Sequence, residues 1–287
     1  MIPRIGDTLL QAVDAGTLNR LYSELLSDGN QSQPGGLATR TVAYVHTIVH
    51  RALKDAVKWG RLARNPADSS DPPRASASSV APMATWRADV LRDFLARTAG
   101  CGDRYYSLWV LLATTGMRRG EALGLRWSDV DLDAATAAVV QTVIVVAHRV
   151  ELGAPKTGRG TRVVDLDAGT IAALRAHRLH QLEERILIGA GWRDHDLVFC
   201  KVDGDPLHPE RVSREFLRRI ERWKLPPLTL HGLRHTWATL ALKAGVHPKV
   251  VQERLGHATI GITLGVYSHV TAGMQREAAE AVAELFL

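Results

Sequence analysis

Between residues 42 and 56 the apolar side chains Val42, Val45, Val49, Leu53 and Ala56 recur every three or four positions, which places them on one face of a helix. Thr39 or Thr41 can cap that helix, and Thr17 can cap a shorter one reaching residue 26. Past residue 85 the pattern predicts helices over about 88–98 and 105–114, and another from about residue 119. After Trp127 the rhythm changes. The run TAAVVQTVIVVAHRVEL is rich in β-branched residues, and KTGRG has the composition of a hairpin tip, so a small antiparallel sheet is expected over about 135–166. Helices resume near residue 168 and continue to the end, broken at Gly and Pro. One of them, at about 208–223, carries an apolar stripe of Val212, Phe216, Ile220 and Trp223. The order predicts a mainly α fold with a small antiparallel β-sheet (α+β).

Residues 65–85 hold four prolines and a cluster of Ser and Ala, the clearest linker composition in the chain. The expected division is a helical N-terminal piece over 1–75, a linker at 76–82 and a larger piece over 83–287.

A chain of 287 residues with 46% hydrophobic and 23% charged residues can bury a core without staples, which excludes disorder as the main state. Its two cysteines cannot make a disulfide framework or a Cys-based zinc site. No apolar run reaches the ~18 residues that a membrane span needs, and MIPRIGDTLL lacks the layout of a signal peptide. A cytoplasmic location is expected.

Charge adds a pointer to a polyanion. The net charge is +6, and of 36 basic residues only seven are Lys. Arg suits phosphate recognition better than Lys, although a codon bias would produce the same ratio. Arg51, Lys54, Lys58 and Arg61 form a basic stripe beside the apolar face of the second helix, and Arg211, Arg214, Arg218 and Arg222 do the same on the 208–223 helix. Each stripe taken alone fits a solvated face. Its repetition on two separate helices favours a clamp on nucleic acid phosphates.

The densest chemistry lies in residues 231–270. His231 and Arg234 are three apart and share a helix face. His231 and His235 have a metal-ligand spacing, but no carboxylate separates them and no Cys is near. Arg118 and Glu121, three apart, alone suggest a helical ion pair. Together with Lys156, His257 and Tyr267 these groups suit phosphodiester chemistry. Attack on a phosphodiester builds negative charge on nonbridging oxygens. Arginines and histidines aimed there can stabilise it, each donor being worth about 10²–10³ in rate. A tyrosine hydroxyl can be the nucleophile where cations and a base favour loss of its proton. A lysine can protonate the leaving oxygen.

The segments carrying these residues resemble those of the tyrosine recombinases, in particular the phage-type integrases. TTGMRRGEALGLRWSDVD resembles the segment with the first arginine and its acidic companion, here Arg118 and Glu121, with Arg118 favoured over Arg119 because it follows the Thr-Gly-x signature. APKTGRGTR resembles the hairpin-lysine segment, placing Lys156. LTLHGLRHTWAT resembles the His-x-x-Arg segment, placing His231 and Arg234. ERLGHATIGITLGVYSHV resembles the final segment, placing His257 and the nucleophile Tyr267. The N-terminal run ATRTVAYVHTIVHRALKDAVKWGRLARNPAD is similar to the end of a core-binding domain.

The resemblance implies a partial helical core-DNA-binding domain at 1–75 and a recombinase catalytic domain at 83–287. It implies a site-specific recombinase acting through a 3′-phosphotyrosyl intermediate, with no cofactor and no metal. Its partners would be duplex DNA attachment sites, a homotetramer assembled on DNA from free monomers, and accessory DNA-bending or directionality factors. The source would be a phage or mobile element in a bacterial cytosol. The chain starts part-way into the usual core-binding unit, so arm binding is expected to be absent. Gly265, two residues before Tyr267, departs from the polar residue common in relatives. The final segment, with Met274, Ala278, Val282 and Leu285 at helical spacing, would dock on a neighbouring subunit or on its own domain. Competing readings are a truncated, non-catalytic DNA-binding relic, a type IB topoisomerase-like activity and a His-dependent metalloenzyme.

Overall fold

The computed structural model describes residues 2–30, 33–74, 83–147, 149–153, 161–257, 259–261 and 283. The chain forms two compact units, Met1–Pro82 and Met83–Leu287.

In the first unit, helix α1 (Ile2–Ile5) precedes α2 (Ala15–Asp28) and α3 (Thr39–Lys58). Helix α2 starts earlier than expected. Asp14, not Thr17, is its cap: Asp14 Oδ1 accepts the Thr17 backbone N–H at 2.7 Å. Helix α3 has Ala38 at its N-cap, so neither Thr39 nor Thr41 caps it. Leu18, Leu21, Tyr22 and Leu25 of α2 pack against Val42, Val49 and Leu53 of α3. The Pro- and Ser-rich stretch begins as folded structure. Asn65 caps a 3₁₀ turn (Pro66–Ser69), Ala67 enters the core, and the Asp71 N–H donates to Asn19 Oδ1 at 2.7 Å. The expected linker at 76–82 lies outside the described residues.

The second unit opens with α4 (Ala88–Gly100) and α5 (Tyr106–Thr115). Helix α5 is buried from Ser107 to Ala113, as an all-round apolar helix must be. Phe94 sits among aromatic rings, with centroids 5.4 Å from Trp86 and 5.2 Å from Phe216. Such ring pairs contribute about 0.5–1.5 kcal/mol each beyond their buried area. Short helix α6 (Arg119–Leu123) leads into β1 (Val130–Asp131), β2 (Thr136–Val139), β3 (Thr142–Val146), β4 (Arg149–Gly153) and β5 (Arg162–Asp165).

Where one sheet was expected there are two. One has the order β1-β2-β5, with Thr136 opposite Asp165 and Val139 opposite Arg162; the other is the β3-β4 hairpin. Both are antiparallel. Helices α7 (Ala168–Ile188), α8 (Pro209–Trp223), α9 (Leu230–Lys243) and α10 (Pro248–Leu255) complete the unit. No helix among the described residues is long and apolar enough to cross a membrane.

Candidate active site

Helix α5 ends at Gly116 in the left-handed conformation, φ 66°. A side chain there would meet Leu255 Cδ2 and Trp237 Cε3, both at 2.9 Å, so glycine is required both by the backbone angle and by the space. The turn brings the chain ends of α5 and α10 together and presents the Gly116 carbonyl to the start of α9.

Arg234, on α9, uses that carbonyl. Its Nη1 donates to Gly116 O at 2.8 Å and its Nη2 to Leu255 O at 2.7 Å, and the residue is only 3% exposed. Arg118, the N-cap of α6, is more open. Its Nη2 donates to Gly256 O at 3.2 Å and its Nη1 to Glu121 Oε1 at 2.6 Å. Both guanidinium groups are therefore fastened to the end of α10. Arg119 points elsewhere: it donates to Ser213 Oγ and, at 3.1 Å, to Glu210 Oε1, both on α8. Of the two adjacent arginines, Arg118 is the one beside Arg234.

Glu121 lies beneath this pair, buried. It accepts the Arg118 backbone N–H at 2.9 Å and Arg162 Nη2 at 2.8 Å. Burial alone would raise its pKa, but the Arg162 guanidinium and then Arg118 outweigh it and hold the carboxyl below its ordinary value. The sequence reading did not single out Arg162. Its signal was an arginine in the same segment as Lys156.

His257 follows α10. Its backbone is held on both sides by Gln252: the His257 N–H donates to Gln252 O at 3.1 Å and Gln252 Nε2 donates to His257 O at 2.9 Å. Burial, then Arg234 and Arg118, push the His257 pKa down to about 4. His231, in the first turn of α9, is also lowered, by loss of hydration at its ring and by Arg234, Arg118 and Arg119. Its residue as a whole stays open to solvent. Without a bound anion both rings are neutral near pH 7. A neutral imidazole offers one N–H donor and one acceptor.

The described residues thus bring together Arg118, Glu121, His231, Arg234 and His257, together with Arg162. Lys156, Tyr267 and the final segment over 272–287 lie outside the described residues. Among the described residues no three His, Cys, Asp or Glu side chains converge as a metal site.

The two basic stripes lie on different units. Lys54, Lys58 and Arg61 are exposed on or just past α3, while exposed Arg51 pairs with Asp55 at 3.3 Å. Arg211, Arg214 and Arg222 are exposed on α8, while exposed Arg218 pairs with Glu215 at 2.6 Å.

Residues 87–274 match the model of the phage integrase family, a span that contains this whole arginine–histidine set. The chain belongs to the phage integrase family. Integrases of this kind are tyrosine recombinases, which catalyse DNA strand cleavage and rejoining, and family membership assigns site-specific DNA recombination to this chain.

Two relatives of the integrase-family chain bear this out at the level of sequence. It is 27% identical over 285 residues to a tyrosine recombinase XerC-like protein of Caldanaerobacter subterraneus subsp. tengcongensis, covering 94% of this chain and 71% of the relative. It is 25% identical to the ICEBs1 integrase of Bacillus subtilis, covering 87% of this chain and 67% of that one. In fold it matches the Tn1549 transposon integrase in complex with transposon right end DNA, at TM-score 0.76 and 21% identity, over 95% of this chain and 86% of that one.

Proposed function

We propose that this chain recombines duplex DNA at specific attachment sites through a 3′-phosphotyrosyl intermediate, with the following division of labour. The Tyr267 oxygen attacks the scissile phosphorus. The new P–O bond forms as the bond to the 5′-oxygen breaks. His231 takes the phenolic proton, and Lys156 gives a proton to the departing 5′-oxygen. Arg118, Arg234 and His257 donate to the nonbridging oxygens as charge builds there. Glu121 and Arg162 hold Arg118 in place. A 5′-hydroxyl from a second strand then attacks the phosphotyrosine and releases Tyr267. One phosphodiester replaces another, so the exchange needs no ATP and no metal.

The observation that carries this reading is the shared anchorage of Arg118 and Arg234 on the end of α10, with neutral His231 and His257 in their field. Such a group suits a pentavalent phosphate. The roles of Tyr267 and Lys156 rest on the motif resemblance.

The DNA-binding part of the proposal assigns both exposed stripes to phosphates and the first unit to core-site binding. The protein would be a free monomer that assembles as a homotetramer on DNA, with accessory bending or directionality factors. Phosphate contacts position the protein, and the target sequence would be read by base contacts.

The test is a nicked suicide duplex incubated in EDTA. The parent should accumulate a covalent protein–DNA adduct and Tyr267→Phe should not. An adduct that required Mg²⁺, or that persisted in Tyr267→Phe, would overturn the assignment.

A further inference from the structure

His231 does not stand alone on α9. His235, one helical turn later, packs against it with ring centroids 4.8 Å apart and planes at 88°, an edge-to-face contact. The mechanism above has no use for His235. Its surroundings give it one.

The pair borders a cavity of about 680 Å³ whose walls include Leu217, Ile220, Leu225 and Leu228 along with both histidines. That flank of the His231 ring is open space rather than packed side chains. An imidazole on an open flank can sample several rotamers, whereas one set edge-on against a second ring is confined. Proton transfer and phosphate contact both depend on the aim of the ring, and a misplacement of about 1 Å can cost 10²-fold in rate.

We propose that His235 is a positioning residue, an aromatic backstop that fixes the orientation of His231. The inference rests on the reading of His231 as part of the cleavage site.

The electrostatics are compatible with a neutral backstop. Burial, then His231 and Arg234, push His235 down to about 4, so it stays uncharged while His231 exchanges a proton. Among the charged groups acting on the pair and on His257 are Arg234 of α9, Arg118 and Arg119 at α6, and Arg162 of β5, and Glu221 and Lys224 line the same cavity. The influence of His235 also reaches His257.

Two variants and two readouts test this. His235→Phe keeps a flat ring and removes the titratable group; His235→Ala removes the wall. In single-turnover cleavage of the suicide duplex, His235→Ala should be slower by about 10- to 100-fold, with DNA affinity unchanged, and His235→Phe should stay within about threefold of the parent. The second readout is the titration of His231 in the DNA-free protein, followed by NMR of nitrogen-labelled histidine. In His235→Ala the ring gains water and titrates at higher pH; in His235→Phe it titrates as in the parent.

A His235→Ala variant with the parent's rate and titration would overturn the inference. So would a His235→Phe variant as slow as His235→Ala, since imidazole chemistry rather than packing would then be at work. If the parent forms no Tyr267-dependent adduct, the cleavage reading fails. The titration still decides whether His235 holds His231.

Discussion

Arg162 Nη2 meets Glu121 Oε2 at 2.8 Å, with 9% of the arginine side chain and 4% of the carboxylate exposed. The same arginine donates from Nε to the Arg254 carbonyl at 2.8 Å, which ties β5 to α10. Breaking a buried pair from one side leaves a charge without its partner, at a cost of about 3–5 kcal/mol where no other cation remains. Arg118 still contacts Glu121, so Arg162→Ala should cost less, about 2–3 kcal/mol of unfolding free energy. Urea denaturation measures it. Cleavage should fall as well, because Glu121, no longer held by Arg162, aims Arg118 less rigidly.

Replacing either guanidinium by an ammonium should separate binding from chemistry. Arg118→Lys and Arg234→Lys keep the charge but lose the planar fork that spans two acceptors. Each should reduce single-turnover cleavage by about 10²–10³, with duplex affinity within a few-fold of the parent. A gel-shift titration beside the adduct assay checks both halves.

Acid should destabilise the fold through its histidines. His235 and His257 fall from an ordinary 6.5 to about 4 in the folded chain. Between those values the unfolded chain binds protons that the folded chain refuses. The stability held by these two histidines is therefore fully present above about pH 7, declines as pH falls towards 4, and levels off below. Each histidine contributes on the order of 1–3 kcal/mol to that decline. Urea midpoints at pH 7.5 and pH 5 should differ by less in His257→Gln than in the parent.

Gly116→Ala should be more damaging than its size suggests. The substitution forces a methyl group against Leu255 and Trp237 and strains a left-handed residue. A loss of about 1–3 kcal/mol in thermal or urea unfolding is expected. The Arg234 acceptor moves with it, so cleavage should drop more than stability does.

Salt dependence should rank the basic stripes. Neutralising Arg211, Arg214 or Arg222 should each lower the slope of log affinity against log salt by about 0.9 if the side chain contacts a phosphate. Arg218 and Arg51 already hold carboxylates, so their removal should change the slope less.

How far these relationships could be seen beforehand differs from element to element. Helices α3 and α8 were legible because their apolar residues repeat at helical spacing, and α5 because its apolar run is long. The start of α2 is ambiguous in the sequence because Asp14 and Thr17 are both good caps, and only the local geometry shows that Thr17 supplies the N–H and Asp14 the acceptor. The split into two sheets escaped because a β-rich run does not specify which strand pairs with which. The candidate residues Arg118, Glu121, His231, Arg234 and His257 were legible through motif spacing. Arg162 and the backstop His235 were not, since their roles come from long-range contacts and a ring angle that no spacing encodes.

The carbonyls of Leu255 and Gly256 form the rung from which the chain departs towards His257 and Tyr267, and each is gripped by one of the two arginines. A displacement of the end of α10 therefore reaches both cations at once. The two guanidinium groups share one footing, so a change in that turn re-aims both together.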